Sequence, residues 1–255
     1  MQSLNPWSKQ SRQEEYRLRI LSAKYKKLVT FVIVLILFFF NQEAIVKSAP
    51  LSLVLLDFAG ERDTDVVPQP WNIRLKEGKA DVRIASDNGG NVLHITCRES
   101  SVSVERNASV DIIVSPYMSW TWKVLKVPTQ GDVRKKGYND QALQILVAFE
   151  NRKILSYVWD SNAPEGTITD ESVGWPVNLK IKVIVVKAGT TDVGKWITQT
   201  RNIYEDYKNI FHEEPLRLKG VRIQTNTQYT RDTAEGFVKS IMFSNVHSIT
   251  AQKIS

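Results

Sequence analysis

The sequence predicts an all-β fold: a mainly antiparallel, jelly-roll-like sandwich of two sheets with one short helix. Three observations lead to this prediction. After residue 50, apolar residues recur at every second position in many short runs, which is typical of half-buried strands. Turn-forming residues such as Asp87-Asn88-Gly89-Gly90 separate these runs. Only one segment after residue 50 has helical spacing, so helices cannot form a layer of their own.

Alternation locates the strands in the order of the chain. The alternating apolar positions of each run lie on one face of a strand, and that face is predicted to be buried. Seven runs are predicted as strands: 93–97, 120–124, 143–149, 155–159, 181–185, 221–223 and 241–243.

The segments between these runs are interpreted as loops and one helix. Residues 61–72 contain two prolines and are predicted to connect strands. Residues 160–178 have few apolar positions and are predicted as a long surface loop, of the kind that often carries a site. Ile203, Tyr207 and Phe211 recur at helical spacing after the potential N-cap Asn202, which predicts a helix at about 203–211.

The first 49 residues differ from the rest. Five basic residues at 17–27 precede the apolar run Leu28–Phe40. Thirteen residues in a helix span about 20 Å, less than the ~30 Å hydrocarbon core of a bilayer. We therefore expect residues 1–49 to be a basic region plus a leader helix, acting as a signal peptide or a membrane-held signal anchor. Residues 50–255 would form a single exported domain in the periplasm or envelope of a Gram-negative-type cell.

The charge distribution argues against nucleic acid as a partner. The net charge is +7, but residues 1–50 hold eight basic and three acidic residues. The remaining chain holds 26 basic and 24 acidic residues, so the predicted domain is nearly balanced. Cys97 is the only cysteine, which excludes an internal disulfide and predicts a small buried side chain.

Aromatic residues in the middle of the chain are the first candidates for ligand binding. Trp122, Trp159, Trp175 and Trp196 are predicted to stack on sugar rings, because one face of a pyranose is apolar. The alternative is that these side chains fill the core, since Trp122 and Trp159 each share strand parity with a neighbouring aromatic residue. Trp175 lies in the predicted long loop, where a role in the core is a weaker explanation.

Polar residues near the predicted strand ends are the second group of candidates. Asn139, Asp140, Asp160 and Arg201 are predicted to bind hydroxyl groups. The alternatives are turn formation for the acidic and amide residues, and a structural ion pair for Arg201.

Metal and catalytic chemistry have weaker support in the sequence. Oxygen ligands around Asp132 and Asp140 could hold Ca²⁺, but no Asp-x-Asp-x-Asp-Gly run is present, and no cofactor or metal is expected. Two of four aspartates could act as a glycosidase acid and base. These candidates are Asp132, Asp140, Asp160 and Asp206.

An ordered set of motifs resembles a bacterial family catalogued as domain of unknown function 3047. The resemblance covers roughly residues 52–245 and implies an exported β-sandwich similar to carbohydrate-binding modules. It transfers no catalytic or binding residues, and two acidic positions of the pattern are replaced here by Asn226 and Gln228. The matching motifs are Trp120-Thr121-Trp122-Lys123-Val124, Asp132, Asn139-Asp140, Tyr157-Val158-Trp159, Gly189, Trp196, Arg201-Asn202, Asp206-Tyr207 and Thr225-Asn226-Thr227.

Three functions are consistent with these observations. The first is a non-catalytic module that binds a polysaccharide or another envelope polymer. The second is a glycoside hydrolase or lyase that uses paired aspartates. The third is an assembly partner of other envelope proteins, which would expose a large apolar patch.

Overall fold

The computed structural model describes residues 51–87, 90–174 and 176–247, without the side chain of Ser172. These residues belong to one compact unit, Pro50–Ser255. The predicted leader lies outside the described residues. In the described part of the chain, no helix is long and apolar enough to cross a membrane.

Strands dominate the described part of the chain, as the alternating pattern predicts. The elements are β1 (Ser52–Asp57), β2 (Asn72–Asp87), β3 (Gly90–Val110), β4 (Tyr117–Lys126), β5 (Gln141–Phe149), β6 (Lys153–Asp160), β7 (Ile168–Val173), β8 (Leu179–Ala188), β9 (Ile197–Asn202), α1 (Ile203–Phe211), β10 (Leu218–Asn226) and β11 (Thr233–Ser244).

The strands form one hydrogen-bonded sheet that folds back on itself. Its order is β7-β8-β6-β5-β10-β3-β11-β4-β9, with β2 paired to β3 and β1 paired to β11. Only β6 and β8 pair in parallel among these neighbours. Four strands separate β4 from β6 in this order, yet the rings of Trp120 and Tyr157 lie 5.2 Å apart. The result is a jelly-roll-like two-layer sandwich, which confirms the predicted fold class.

The long strands β2 and β3 pass through both layers and bend together between them. At the bend, Gly78 has a φ of +68°, and a Cβ there would lie 2.1 Å from the carbonyl oxygen of Glu99. Only glycine fits this position. One side of the bend belongs to a larger layer, formed by β7, β8, β6, β5, β10, residues 101–110 of β3 and residues 72–77 of β2. The other side belongs to a smaller layer, formed by the rest of β2 and β3 with β11, β4, β9 and β1.

Aromatic side chains fill the space between the layers. Trp120, Trp122 and Trp159 are fully buried. The rings of Trp122 and Trp159 lie 5.9 Å apart, and those of Trp120 and Trp122 pack edge to face at 5.6 Å. Cys97 is a free, fully buried thiol in the same core, which confirms its predicted role as a small apolar side chain.

The predicted helix is confirmed, whereas one predicted loop is partly wrong. The Oδ1 atom of Asn202 accepts a hydrogen bond of 3.1 Å from the backbone N–H of Glu205 and caps α1. Within the predicted loop 160–178, residues 168–173 form β7, an edge strand paired antiparallel to β8. Its backbone hydrogen bonds hold it on the sheet without an alternating apolar face, so its pattern is not strand-like.

Candidate functional site

The outer face of the larger layer forms a curved groove. Arg74 and Lys76 of β2 line the same depression of about 430 Å³ as Glu171 and Val173 of β7. These strands lie at opposite edges of the layer, so the sheet curls until its edges approach across this face. A second depression of about 440 Å³ adjoins the first, and both are lined by Arg74 and Arg222.

Polar groups without protein partners line the floor of this groove. Ser101 and Ser103 of β3 and Gln224 of β10 have side chains that bond no other residue in the described part of the chain. Gln224 lies directly opposite Ser103 in the strand register. The side-chain oxygen of Gln228 is a buried acceptor without a partner at the same groove. Such groups need water or a polar ligand to complete their hydrogen bonds.

A chain of amides crosses the groove beside this floor. The Nε2 atom of Gln144 donates to Oε1 of Gln141 at 2.8 Å and also to Oδ1 of Asn226. Gln141 donates through Nε2 to Oδ1 of Asn139 at 2.7 Å, and Asn139 donates to Glu171 at 3.2 Å. The chain joins β10 and β5 to the opposite edge at β7, so it fixes the orientation of each amide.

Charged side chains surround the groove. Glu105 lies between two guanidinium groups, with Nη2 of Arg222 at 2.7 Å and Nε of Arg74 in closer contact. The Arg74 side chain is 73% exposed, whereas that of Glu105 is 17% exposed. Lys76 and Lys219 also line the groove and form no ion pair with any described residue. The groove therefore presents a surplus of positive charge.

An apolar strip completes the surface. Leu146, Ile154 and Ile181 line the groove from three neighbouring strands, and Ile154 is paired with Ile181 in the register. Tyr229 lies at the rim with about half of its surface exposed. Apolar contact and unpaired hydrogen-bonding groups thus occur side by side in the groove.

Two tryptophans predicted to bind a ligand belong instead to the core. Trp122 and Trp159 have no exposed surface. The Nε1–H of Trp159 donates to the carbonyl oxygen of Gly189 at 3.0 Å. This corrects the expectation that they stack on a ligand, because a side chain enclosed between the two layers cannot contact one. The alternative that the sequence left open, core packing, explains both.

The predicted role of Asp140 and Asp160 in binding ligand hydroxyl groups is corrected for a similar reason. Both are fully buried, and each accepts hydrogen bonds from backbone N–H groups. Asp140 binds the N–H of Thr230 at 2.6 Å. Asp160 binds those of Val133 at 3.0 Å and Ala163 at 2.6 Å. Burial raises the pKa of Asp160, although these hydrogen bonds oppose the rise. These carboxylates fix loops and are not exposed to a ligand.

Arg201 is held by a structural ion pair. Its Nε atom donates to Oδ2 of Asp206 at 2.9 Å, and the hydroxyl of Tyr157 donates to the same oxygen at 2.9 Å. Asp206 raises the pKa of Arg201, and burial followed by the charge of Asp206 raises that of Tyr157 well above its ordinary value. The structural alternative explains this contact, and the predicted role of Arg201 in gripping a ligand stays a prediction.

The three remaining predicted residues are dispersed. Asn139 is the only member of the predicted set that the described residues bring into the groove, and its binding role stays a prediction. Trp196 lies on the outer face of the smaller layer, where Nε1 donates to Asp87 at 2.8 Å and Nζ of Lys123 lies 4.9 Å from the ring centroid. Trp175 is outside the described residues, so its role also stays a prediction.

The described residues contain no aspartate pair that faces the groove. Asp132 is fully buried against Arg134, whose guanidinium lies at 2.8 Å and holds the pKa of Asp132 well below its usual range. Asp140, Asp160 and Asp206 are bound as described above, and none of the four candidate aspartates lines the groove. No three His, Cys, Asp or Glu side chains in the described part of the chain are grouped as metal ligands.

Sequence reasoning missed most of the groove. Ser101, Ser103 and Glu105 alternate with apolar residues along β3, and Arg222, Gln224 and Asn226 do so along β10. The alternation shows that each set shares one face of its strand. The pattern does not show that the two strands are neighbours, or that their outer face is concave.

Several solved structures are distantly similar to this chain. The xyloglucanase domain of NopAA, a type three effector from Sinorhizobium fredii, has 12% identity and a TM-score of 0.44, covering 68% of this chain and 92% of that chain. The family 30 carbohydrate-binding module of a Clostridium thermocellum cellulosomal cellulase has 8% identity and a TM-score of 0.41, covering 79% and 99%. The family 11 xylanase from Neocallimastix patriciarum has 10% identity and a TM-score of 0.38, covering 78% and 97%. Likeness at this level assigns no activity.

Sequence comparison gives a clearer result, because it assigns the chain to a family. None of the curated proteins matches the chain. The model of one family matches residues 69–242. This range includes all of the strands that line the groove and the three tryptophans buried between the layers. This chain belongs to the family described as protein of unknown function DUF3047.

Proposed function

We propose that this protein binds a glycan or a similar hydroxyl-rich envelope polymer along the groove, without cleaving it. The observation that carries the proposal is the row of unpartnered polar groups on the groove floor, Ser101, Ser103 and Gln224. Hydroxyl groups of a sugar both donate and accept hydrogen bonds, so they complement hydroxyl and amide side chains. The adjacent strip around Leu146 and Ile154 suits the apolar C–H faces of sugar rings.

The shape of the site supports an extended ligand. The two depressions adjoin at Arg74 and Arg222, and the groove crosses the whole layer from β2 to β7. Tyr229 lies at the rim, where its ring could cover one sugar unit. An open groove lined by several strands accommodates consecutive units of a chain.

The carboxylates that line the groove support binding without cleavage. Glu105 of β3 and Glu171 of β7 are the acidic side chains that line it, and Glu171 accepts a hydrogen bond from Asn139. The carboxylate of Glu105 forms ion pairs with the guanidinium groups of Arg74 and Arg222. Glycosidases place two carboxyl groups about 5–10 Å apart across the scissile bond, one of them free to donate a proton.

The test is a binding titration of the full chain with polysaccharides, comparing Gln224→Ala and Ser103→Ala with the unchanged protein. Losing one hydrogen bond to a ligand weakens binding by roughly threefold to tenfold. The control is Gln130→Ala, an exposed glutamine that does not line the groove. The proposal fails if Gln224→Ala and Ser103→Ala leave the affinity for the polysaccharide unchanged while Trp196→Ala abolishes it. Release of shorter sugar chains from a bound polymer would contradict binding without cleavage.

The location remains part of the proposal. The basic region and apolar run of residues 1–49 support export to the periplasm or envelope, where such polymers occur. Fractionation of cells that express the full chain tests this, with protease added to intact spheroplasts. A chain recovered only from the cytoplasm contradicts it.

Exposed apolar side chains favour a second candidate function, docking to another envelope protein. Leu51, Leu53 and Val54 around β1 are 43–52% exposed, and Ile113 and Val114 in the β3–β4 loop are 70% and 52% exposed. Replacing Ile113 and Val114 by Ser tests this candidate. Loss of a co-purifying envelope protein with unchanged glycan binding supports docking, and unchanged co-purification contradicts a role for this loop.

A further inference from the structure

We infer that the polymer bound in the groove is anionic, a glycan that carries acidic groups at intervals along its chain. This inference rests on the proposed function and adds the chemical class of its ligand. It depends on where the charges of the domain lie, on which of them are already paired, and on their spacing along the groove.

The net positive charge of the domain is located in the groove. Four basic residues present their charge there, Arg74, Lys76, Lys219 and Arg222, against two acidic residues, Glu105 and Glu171. A fifth basic residue on the lining, Arg106, donates instead to the carbonyl oxygen of Leu55 at 2.8 Å and packs on the ring of Trp71. Residues 51–255 hold 26 basic and 24 acidic residues, so the rest of this segment is neutral. A concave surface with this balance concentrates anions.

Part of this charge is not neutralised by the protein. Glu105 is shared by Arg74 and Arg222, so two guanidinium groups face one carboxylate. Lys76 and Lys219 have no acidic partner among the described residues. The carboxylate of Glu171 accepts a hydrogen bond from Asn139 and closes the far edge of the groove. Exposed cations on a groove wall favour carboxylate or sulfate groups of a ligand.

The spacing of the charges fits a polymer rather than a single small anion. Lys76 lines the first depression, Lys219 lines the second, and the two arginines line both. Positive charge therefore occurs in the middle of the groove and on either side of it. The unpartnered hydroxyl and amide groups lie in the first depression, between Lys76 and Arg222. A chain with one acidic group every few sugar units would meet both kinds of partner.

Two matched pairs of polymers test the inference on the full chain by affinity electrophoresis. One pair is polygalacturonate and its methyl ester, and the other is dextran sulfate and dextran. We expect the charged member of at least one pair to bind at least tenfold more tightly than its neutral partner, and rising salt to weaken that preference. Arg74→Gln and Lys76→Gln should each weaken binding of the charged polymer by roughly fivefold. Lys195→Gln, at an exposed lysine beside the smaller layer, is the control and should change neither affinity.

The outcomes separate this inference from the proposed function. Equal affinity for charged and neutral members, still lowered by Gln224→Ala, overturns the anionic ligand and leaves glycan binding intact. No binding to any of the four polymers contradicts both proposals. A further titration uses polyphosphate, an anionic polymer without sugar. If polyphosphate binds as tightly as polygalacturonate and Gln224→Ala weakens neither, the groove recognises charge alone. Both glycan proposals then fail.

Discussion

The two outer faces of the sandwich differ in how their polar groups are satisfied. On the larger layer, Ser103 and Gln224 face an open groove without protein partners. On the smaller layer, Lys123 also points outward from its sheet, but its ammonium lies 2.7 Å from Asp87. Trp196 binds the same carboxylate of Asp87, so an aromatic ring and an ion pair cover this face.

This difference is the basis for proposing the groove as the binding surface. The largest aromatic side chains lie in the core, and Trp196 packs with Phe237 on the covered face. The groove contains few aromatic side chains, but its amides and hydroxyls lack partners. We therefore expect changes in the core and on the covered face to affect stability, and changes in the groove to affect binding.

The largest effect is expected in the aromatic core. Trp122→Ala removes a fully buried ring between the layers, and such truncations destabilise proteins by about 3–5 kcal/mol. Urea unfolding measures the change in the free energy of unfolding. Tyr138→Ala is the control, because this exposed aromatic residue should change stability by less than about 0.5 kcal/mol. A stable Trp122→Ala variant that has lost glycan binding would reverse the roles of core and groove.

A smaller effect is expected on the covered face. Lys123→Met removes the cation that lies 2.7 Å from Asp87, and loss of this shielded ion pair should destabilise the fold by about 2–3 kcal/mol. Adding Asp87→Asn should recover part of this loss, because it removes the carboxylate that Lys123 neutralised. Additive effects of the two changes in a double-mutant cycle would show that the pair is not coupled.

The next prediction concerns acid stability. Arg134 holds the pKa of Asp132 well below its usual range, whereas aspartate in an unfolded chain titrates near pH 3.9. Ionised Asp132 thus stabilises the fold above about pH 4, and this contribution is lost as the pH falls towards the folded-state pKa. Asp132→Asn should therefore make the unfolding free energy fall less steeply below about pH 4. The difference in slope should correspond to the uptake of up to about one proton on unfolding. Parallel curves for the two proteins would show that Asp132 does not carry the dependence.

The smallest effect on stability is expected at the groove rim. Tyr229→Ala removes an exposed ring, so the free energy of unfolding should change by less than about 0.5 kcal/mol. Glycan affinity should fall by roughly fivefold, because the ring can no longer cover a sugar unit. Tyr229→Phe should retain most of the affinity. Loss of stability without loss of affinity would place Tyr229 with the structural aromatic residues.

The fold was more predictable than the site. Alternation along β4, β5 and β6 predicted strands, although both faces of β5 and β6 are buried rather than one. Asn202 with Glu205 marked the start of α1. These are local properties of the chain. The edge strand β7 was missed, because hydrogen bonds to β8 hold it in place without an alternating pattern.

The candidate site was only partly predictable for a physical reason. A tryptophan on a strand is compatible with a core or with a ligand platform, and only the partner across the sandwich distinguishes them. Trp122 meets Trp159, so both are enclosed. Similarly, the carboxylate of Asp160 is surrounded by backbone N–H groups of its own loop and of the loop before β5. Asn139 is the predicted residue that the described fold brings to the groove.

The sequence by itself determined the β-rich fold class, the position of α1 and the parity of residues along each strand, because these depend on neighbours within a few residues. Tertiary structure alone decided which polar faces meet. Ser103 and Gln224 are more than 100 positions apart, and they became neighbours when β10 paired with β3. The curl of the larger layer then turned their shared face into a groove. Curvature and strand order arise from contacts between distant segments, and no local pattern encodes them.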